Sequence, residues 1–365
     1  MKKFLALALS VVMALSMVAC GGETAETTAA PAAETTAAPA AETTAAPEPT
    51  VADLEPNTLI GGDNASTGAA AQLYGEAFCA KLEELSGGKI TVNYQPNGAL
   101  GSDMEQEQAM LNGEMDFVIC QTAQTTSFVP EVAIFDLPMV FAKYDAATIS
   151  YALHESEFAD ALAACYEKAG IKILHFLQGA TFRETTSNVA IRSLSDFAGL
   201  KIRTMENKNH MAFWSALGAE PTPLTWSEVP VSLQQGLIQA QENATDTCVG
   251  ASLYDVQDYL ITTHHILYCN QLLFSAEKYN SLDARYQAII DQAAAEAAVE
   301  IEAQLTEINA TNTQKMVDEG MELIELPAEF IDEVLAVEGV QALYADIDSQ
   351  VGGGLVAMLQ AALAE

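Results

Sequence analysis

Residues 200–218 read LKIRTMENKNHMAFWSALG, a stretch that places a short strand directly before a helix. Leu200–Thr204 has the pattern of a strand, and the helical segment Asn207–Leu217 stops at the glycine that follows it. A second helix, Ser227–Gln235, leads into a predicted strand at Leu237–Gln241. Alternating strands and helices of this kind predict an α/β fold with parallel-rich sheets covered by helices.

The same alternation extends toward the N-terminal side. Strands are predicted at Asn57–Gly62, Lys89–Tyr94, Phe117–Cys120 and Ile171–Phe176. Helices are predicted at Ala69–Leu85, Met104–Asn112 and Asp145–Ala169. The body of the protein, from about residue 51 onward, is therefore α/β throughout.

The longest helical pattern begins at Ser281. Neither Gly nor Pro occurs before Gly320, and apolar residues recur at helical spacing from Tyr286 to Ile308. Such a helix would reach roughly 50 Å, more than the width of one small domain. Two interpretations stay open: two helices that meet near Asn309–Asn312, or a single helix that braces two lobes.

Composition excludes several classes of partner. The chain has 365 residues, of which 15 are Lys or Arg and 50 are Asp or Glu, so its formal net charge is −35. That charge repels phosphate backbones and anionic headgroups, which argues against nucleic-acid binding and against electrostatic docking on lipid. No apolar run of about 20 residues follows the N-terminal lysines, so no transmembrane helix is predicted.

The N-terminus predicts export and anchoring. Two lysines and an apolar stretch precede Cys20, which follows small residues as in a lipobox, where cleavage after residues 1–20 leaves a lipid-modified cysteine first. The alternative is an ordinary signal peptide with an incidental cysteine. Residues 25–48 repeat AETTAAPA with a period of eight, so residues 21–50 predict a low-complexity tether. The mature chain would carry 13 basic and 50 acidic residues, a net charge of −37.

The sequence contains no recognisable motif for catalysis or metal binding. The cysteines after Cys20 have no CxxC or other metal spacing, and their disulfide status stays open: Cys79, Cys120, Cys165, Cys248 and Cys269. HExxH, GxSxG and P-loop motifs are absent from the sequence. We expect neither a cofactor nor a metal and no enzymatic activity, with an exported α/β enzyme as a competing hypothesis.

Positive charge is concentrated in one region. The chain has four arginines, and three of them, Arg183, Arg192 and Arg203, lie within 21 positions of one another. Arg203 is at the end of a predicted strand, where ligands gather in open α/β sheets, and its planar fork matches a carboxylate. A surface salt bridge with a neighbouring carboxylate is the alternative for Arg203. Arg192 lies in a polar connector and is predicted to form such a bridge.

An ordered series of motifs resembles the solute-binding proteins of TRAP (tripartite ATP-independent periplasmic) transporters, of the C4-dicarboxylate-binding (DctP) type. The central one is Asn188-x-x-Ile191-Arg192-x-Leu194-x-Asp196-Phe197-x-Gly199-Leu200-Lys201-Ile202-Arg203. Others are Gly98-Ala99-Leu100-Gly101, Phe135-Asp136-Leu137-Pro138, Leu217-Gly218-Ala219, Ser227-Glu228-Val229, Leu233-Gln234-Gln235-Gly236-Leu237-Ile238 and Gln241-Glu242-Asn243. The resemblance covers about residues 57–345. One departure is Ala240, where the family commonly has glycine.

The resemblance implies a two-lobed, periplasmic-binding-protein-like (type II-like) α/β fold. Crossing strands join the lobes, and a long helix spans both, which favours the single-helix interpretation. Lobe I would comprise residues 51–180 plus 269–308, and lobe II residues 181–268 plus 309–365. Ligand would sit in the cleft between the lobes, which close over it by a hinge motion.

The resemblance also assigns site residues. Arg203 matches the arginine that pairs with the substrate carboxylate, Arg183 a second cleft arginine, and Asn243 a cleft asparagine that hydrogen-bonds the ligand. Trp226 is at a position where an aromatic ring often flanks the ligand. The remaining candidates face the cleft from lobe I: Asn64, Ser66 and Gln121.

These assignments imply an extracytoplasmic, lipid-anchored monomer that captures an organic acid and delivers it to membrane permease subunits. A sugar acid such as a uronate is the favoured ligand, on the basis of Met205-Glu206-Asn207 and Pro221-Thr222-Pro223. A C4-dicarboxylate or another organic acid is the alternative ligand. A module that presents ligand to a sensor kinase is the alternative role.

Overall fold

Strands and helices alternate along the chain, as the pattern of residues 200–218 predicts. The computed structural model describes residues 50–179 and 181–365, which form eleven strands and thirteen α-helices. The strands are β1 (Asn57–Asp63), β2 (Ile90–Gln95), β3 (Phe117–Gln121), β4 (Ile171–Leu177), β5 (Phe182–Ser187), β6 (Lys201–Thr204), β7 (Glu220–Pro223), β8 (Ala240–Asn243), β9 (Tyr259–Leu267), β10 (Asn270–Ser275) and β11 (Glu322–Glu325). The helices are α1 (Ala70–Leu85), α2 (Asp103–Leu111), α3 (Thr122–Thr125), α4 (Ala146–His154), α5 (Glu157–Lys168), α6 (Lys208–Ala216), α7 (Val229–Gln234), α8 (Thr245–Gly250), α9 (Ala276–Ser281), α10 (Ala284–Asp318), α11 (Glu329–Leu335), α12 (Glu338–Val351) and α13 (Leu355–Ala362).

The strands form two mixed sheets. The first has the order β2-β1-β3-β10-β4, and the second has the order β11-β9-β5-β8-β6-β7. In the first sheet β1 runs parallel to β2 and β3, while β10 runs antiparallel to β3 and β4. In the second sheet β6 runs parallel to β7 and β8, while β5 runs antiparallel to β8 and β9. The chain crosses between the sheets three times, from β4 to β5, from β9 to β10 and, through α10, from β10 to β11, which is the crossing-strand arrangement of a two-lobed periplasmic-binding fold.

Helix α10 is a single helix. Its 35 residues continue without a break through Asn309–Asn312, and at 1.5 Å per residue it is about 52 Å long. Toward its start, Ile290 packs in the same core as Tyr74 of α1. Near its end, Met316 packs in a different core with Leu260 of β9. The helix therefore braces the packing of both sheets, and the single-helix interpretation is confirmed.

The largest core joins elements of both sheets. Phe158 and Leu162 of α5 share it with Leu359 of α13 and with Phe213 and Trp214 of α6. The C-terminal helices, which the resemblance assigns to lobe II, thus pack against elements that it assigns to lobe I. The lobe boundaries themselves stay a prediction.

Asp136 fixes the loop between β6 and α6. Its Oδ2 accepts hydrogen bonds from the side-chain amides of Asn207 and Asn209, both at 2.9 Å. Its Oδ1 lies 3.1 Å from Nε2 of His210. All four side chains are buried, so each polar group needs these partners. Asp136 lies in the connection between β3 and β4 of the first sheet, and it therefore holds the loop between β6 and α6 of the second sheet.

Two predicted elements differ from the structure. The helix predicted at Asp145–Ala169 is two helices, because the hydroxyl of Ser156 accepts the Ala159 N–H at 3.2 Å and starts a new helix. The strand predicted at Leu237–Gln241 begins only at Ala240, because a turn with Gly236 at φ 70° leaves Leu237 63% exposed.

Strands β5, β7, β9, β10 and β11 were not predicted from the sequence. Strand β5 reads FRETTS, with polar side chains that are buried because Thr263 of β9 and Gln241 of β8 supply hydrogen bonds to them. A strand of this composition lacks the apolar alternation on which sequence patterns depend.

The predictions for residues 1–20, for Cys20 and for nearly all of the tether lie outside the described residues. Within residues 50–179 and 181–365, no helix has both the length and the apolar character needed to cross a bilayer. The five later cysteines are free thiols. In the same part of the chain, no three His, Cys, Asp or Glu side chains are grouped so as to hold a metal ion.

Candidate functional site

A polar cavity lies where strands of both sheets end. Asn64 directly follows β1, Gln121 ends β3, Met205 directly follows β6, and Asn243 ends β8. The cavity volume is about 60 Å³. The carboxyl ends of strands are where α/β folds bind ligands, because loops and helix starts meet there. Six of the seven predicted ligand residues line the cavity: Asn64, Ser66, Gln121, Arg203, Trp226 and Asn243.

Arg203 is a buried cation with one unused donor. The side chain is 2% exposed, and its Nε and Nη2 donate to the carbonyl of Leu224 at 3.0 and 2.7 Å. Among the described residues, nothing accepts a hydrogen bond from its Nη1. Burial lowers the pKa of Arg203 to about 10, so the guanidinium is still charged at neutral pH. A fixed, charged donor without an acceptor is suited to an anion that enters the cavity.

Trp226 positions the same guanidinium. Its ring lies 5.6 Å from Cζ of Arg203, a cation–π contact. Trp226 opens the short helical turn Trp226–Glu228, and the Leu224 carbonyl that holds Arg203 is two residues earlier. One segment of chain therefore supplies both the carbonyl and the ring that orient the arginine.

Asn243 and Asn64 present amides to the cavity from opposite sheets. Oδ1 of Asn243 accepts the Ala244 N–H at 3.0 Å, which leaves its Nδ2 donors for the cavity. Asn64 packs so tightly against Gly98 that a Cβ at Gly98 would lie 2.6 Å from Oδ1 of Asn64. Gly98 also has φ 69°, which a larger residue rarely adopts. The glycine motif at residues 98–101 therefore shapes the wall that carries Asn64.

Arg183 is not one of the residues that line the cavity. Its Nε donates to Oε2 of Glu242 at 2.5 Å, and its Nη2 donates to the Glu242 carbonyl at 2.7 Å. Nε2 of His265 lies 3.0 Å from Oε2 of Glu242. Burial raises the pKa of Glu242, but the charges and hydrogen bonds of Arg183 and His265 outweigh it and hold that pKa well below its usual range. Direct contact between Arg183 and the ligand stays a prediction.

Arg183 does reach the cavity through Gln121. Its Nη1 donates to Oε1 of Gln121, which lines the cavity. Because that oxygen is occupied, Gln121 has its Nε2 group left to present to a ligand. The buried Arg183–Glu242 pair on β5 and β8 thus fixes the orientation of an amide on β3 of the other sheet.

Comparison with known proteins identifies the family. The model of the bacterial extracellular solute-binding protein, family 7, matches residues 62–350, which is most of the chain. The chain belongs to this family. It is a TRAP transporter solute-binding protein, of a kind that is extracytoplasmic and works in transport rather than as an enzyme.

Relatives match nearly their whole length. The sialic acid-binding periplasmic protein SiaP of Vibrio cholerae is 28% identical over 314 residues, which are 83% of this chain and 92% of that protein. A TRAP periplasmic solute-binding protein of Bordetella bronchispeptica, with density assigned to pantoate, is 31% identical with a TM-score of 0.75 and covers 83% of this chain and 98% of its own. Another from Polaromonas sp. JS666, bound to D-erythronate, is 26% identical with a TM-score of 0.76 and covers 83% and 98%.

Several residues that line the cavity of this solute-binding protein were not found from the sequence. They are Ser102, Asp103, Gln124, Thr247, Tyr268 and Asn270, among others. Ser102 and Asp103 follow the glycine motif directly, and the capping box of Ser102 with Glu105 is visible in the sequence. Asn270 lies beside Gln121 only through the pairing of β10 with β3, and no local sequence pattern predicts that pairing.

Asp103 is a buried acid in the cavity wall. It is 8% exposed and is the first residue of α2. Burial, reinforced by the charge of Asp63, raises the pKa of Asp103 to about 7, although hydrogen bonds from the Gln121 backbone and the Asn64 side chain act in the opposite direction. The carboxyl is thus neutral below about pH 7 and negative above it.

We expect the affinity for an anionic ligand to fall as the pH rises through 7. Ionised Asp103 adds negative charge to the cavity, so an anionic ligand binds better when the Asp103 carboxyl is protonated. Above the pKa of Asp103, log Kd for the ligand therefore rises by at most about one per pH unit. Calorimetric titration at pH 6 and pH 8 should show a loss of up to about ten-fold. Asp103→Asn should flatten this dependence, and an unchanged pH profile in that variant would exclude Asp103 as its source.

A helix cap connects the two sides of the cavity. Oδ2 of Asp246, the second residue of α8, accepts the Ala70 N–H at the start of α1 at 2.9 Å. The N-cap residue of α1 is Ala69, which has no side-chain oxygen to do this itself. The next residues on each side, Ala71 and Thr247, both line the cavity. The cap thus joins elements of the two sheets at the cavity wall.

Proposed function

We propose that this protein is the extracytoplasmic receptor of a TRAP transporter for a hydroxylated monocarboxylic acid, with a sugar acid such as a uronate favoured. It would capture the acid between its two lobes and deliver it to the membrane permease subunits. The observation that carries this proposal is the buried Nη1 of Arg203, a charged donor in the cavity with no acceptor among the described residues.

The charges in the cavity favour one carboxylate over two. Arg203 is the one cation among the residues that line it, and Asp103 and Glu206 are acids. A second carboxylate on the ligand would meet these acids with no further cation to pair with, and like charges that are close together and desolvated repel strongly. A C4-dicarboxylate, the alternative ligand, fits this arrangement less well.

The ligands of three relatives support the same class. The relative from Vibrio cholerae is named for sialic acid, the one from Bordetella has density assigned to pantoate, and the one from Polaromonas binds D-erythronate. All three ligands are hydroxylated acids with one carboxylate.

The interactions available are strong enough for such a role. A hydrogen bond to a charged group contributes about 1.5–3 kcal/mol net. Micromolar binding requires about 8 kcal/mol. A carboxylate on Nη1 of Arg203, the amides of Asn243 and Gln121, and contact with Trp226 in a closed cleft reach this range.

The anchoring that the sequence predicts is part of the proposal. Removal of residues 1–20 would leave Cys20 lipidated at the outer face of the cell membrane, with residues 21–50 as a tether for a monomeric binding body. Lipid anchoring and free movement above the membrane would keep the receptor near its permease.

Calorimetry on ligand-stripped protein tests the proposed function. The protein is unfolded in denaturant, refolded and titrated with D-galacturonate, D-erythronate and succinate. We expect saturable binding of at least one hydroxylated monocarboxylate and weaker binding of succinate. Refolded protein that binds no carboxylate at all would contradict the proposal.

The cap between α1 and α8 predicts a link between lobe closure and affinity. Asp246→Ala removes a hydrogen bond that exists only while the two helices are together, so we expect the affinity for the acid to fall about ten-fold, consistent with roughly 0.5–2 kcal/mol for a lost cap. Asp145→Ala is the matched control, because Asp145 caps α4 through the Thr148 N–H at 2.9 Å and does not line the cavity. Equal loss of affinity in both variants would refute the link.

A further inference from the structure

Two buried acceptor atoms in the cavity have no donor. They are Oε1 of Gln124 and Oδ1 of Asn270, and neither has a hydrogen-bond partner among residues 50–179 and 181–365. Both residues line the cavity. A buried polar atom without a partner costs stability, so its presence in a binding cavity indicates a group that a ligand supplies. Both atoms accept, so the missing partners are donors.

Both acceptors come from elements that adjoin Gln121. Asn270 begins β10 and is paired in register with Gln121, the last residue of β3. Gln124 follows in α3, one turn after Gln121. Both therefore belong to the wall built by the first sheet, while Arg203 comes from β6 of the second sheet.

Asn270 lies near the hydroxyl of Tyr268. Burial raises the pKa of that hydroxyl, and the side chain of Asn270 acts in the opposite direction as a smaller effect. The Tyr268 hydroxyl also lies 3.3 Å from Oγ1 of Thr247. Oδ1 of Asn270 has no hydrogen-bond partner among the described residues and is the atom left for a ligand.

We propose that Gln124 and Asn270 form a hydroxyl-reading subsite across the cavity from Arg203. This inference rests on the proposed function and deepens it: the ligand places its carboxylate on Arg203 and donates at least two hydroxyl hydrogens to the opposite wall. An acid without hydroxyl groups leaves both oxygens unpaired, and a site built to hydrogen-bond a hydroxyl rejects the analogue that lacks it. A second carboxylate in place of the hydroxyls brings acceptors against acceptors.

Matched pairs of acids test the subsite in the refolded wild-type protein. D-Erythronate and butyrate share a four-carbon chain and one carboxylate, and so do D-gluconate and hexanoate with six carbons. We expect calorimetry to show the hydroxylated acid of at least one pair binding at least ten-fold more tightly than its unsubstituted partner. Equal affinity within both pairs overturns the subsite while leaving the carboxylate receptor intact. Binding of no acid contradicts the proposed function and the subsite with it.

Variants of similar shape assign the discrimination to the two residues. Asn270→Leu and Gln124→Met each remove one acceptor, so each should reduce the preference for the hydroxylated acid about ten-fold, the loss of one buried hydrogen bond. The affinity for the unsubstituted acid should change less than about three-fold. Gln108→Met is the control, because Gln108 is exposed on α2 and bonds Asn112 instead.

Thermal unfolding of each variant shows whether it folds. If a variant fails to fold, the remaining one and the wild-type pairs still decide the question. An unchanged preference in a folded Asn270→Leu or Gln124→Met protein would overturn the assignment of that residue.

Discussion

Arg203→Ala should reduce the affinity for carboxylate ligands by a factor of roughly 100 to 10,000. The variant loses the two N–H groups of Nη1, each able to form a charge-assisted hydrogen bond of about 1.5–3 kcal/mol, where every 1.4 kcal/mol is ten-fold. Arg203→Lys should also weaken binding strongly, because an ammonium cannot both hold the Leu224 carbonyl as the fork does and reach the ligand. Calorimetric titration of the refolded variants measures both effects.

Arg192→Ala is the matched control for Arg203. Arg192 is exposed and pairs with Glu322 at 2.5 Å, which confirms the surface salt bridge that the sequence predicts for it. Its loss should leave ligand affinity unchanged and alter stability little, because solvent screens an exposed ion pair. If Arg203→Ala folds and binds the acid as tightly as Arg192→Ala does, Arg203 is not the carboxylate receptor.

The second large effect is on stability. Arg183→Met leaves the carboxylate of Glu242 buried without its main partner, so we expect the free energy of unfolding to fall by about 3–5 kcal/mol. Urea denaturation followed by circular dichroism measures this loss. Affinity should fall as well, because Gln121 loses the donor that orients it.

Two further measurements separate the buried pair from a general effect of removing an arginine. Arg285→Met breaks an exposed pair with Asp283 and should cost much less stability than Arg183→Met, because solvent screens an exposed pair. The low folded-state pKa of Glu242 stabilises the protein above its unfolded pKa of about 4.5, and this stability is lost as the pH falls below that value. Arg183→Met should therefore be less sensitive to acid than the wild type. Equal stability of the Arg183→Met and Arg285→Met proteins would contradict the role given to the buried pair.

Local patterns and the resemblance together predicted much of the fold. The ends of the strand and helix around Arg203 differ from the predicted ends by at most one residue. The prediction is close because the apolar spacing and the stop at Gly218 are local features of the sequence. The single long helix was one of two open interpretations, and only the likeness to a known family chose between them. The apolar spacing of a helical sequence does not show whether it forms one continuous helix or two.

Residues that depend on distant pairing were harder to predict. Arg203 could be found because it ends a strand in a chain with few cations. Asn270 and Gln124 have no local signal, since their place in the cavity depends on the register of β10 against β3. Asp103 could have been suspected, because it follows a glycine motif and begins a helix, but its burial is a property of the assembled cavity.

The most direct test of the central claim is a crystal structure of the protein with the acid that binds most tightly in calorimetry. The account predicts a carboxylate oxygen of the ligand within about 3.2 Å of Nη1 of Arg203, enclosed between the two sheets. A ligand carboxylate held elsewhere, with Nη1 of Arg203 turned toward bulk water, would contradict it.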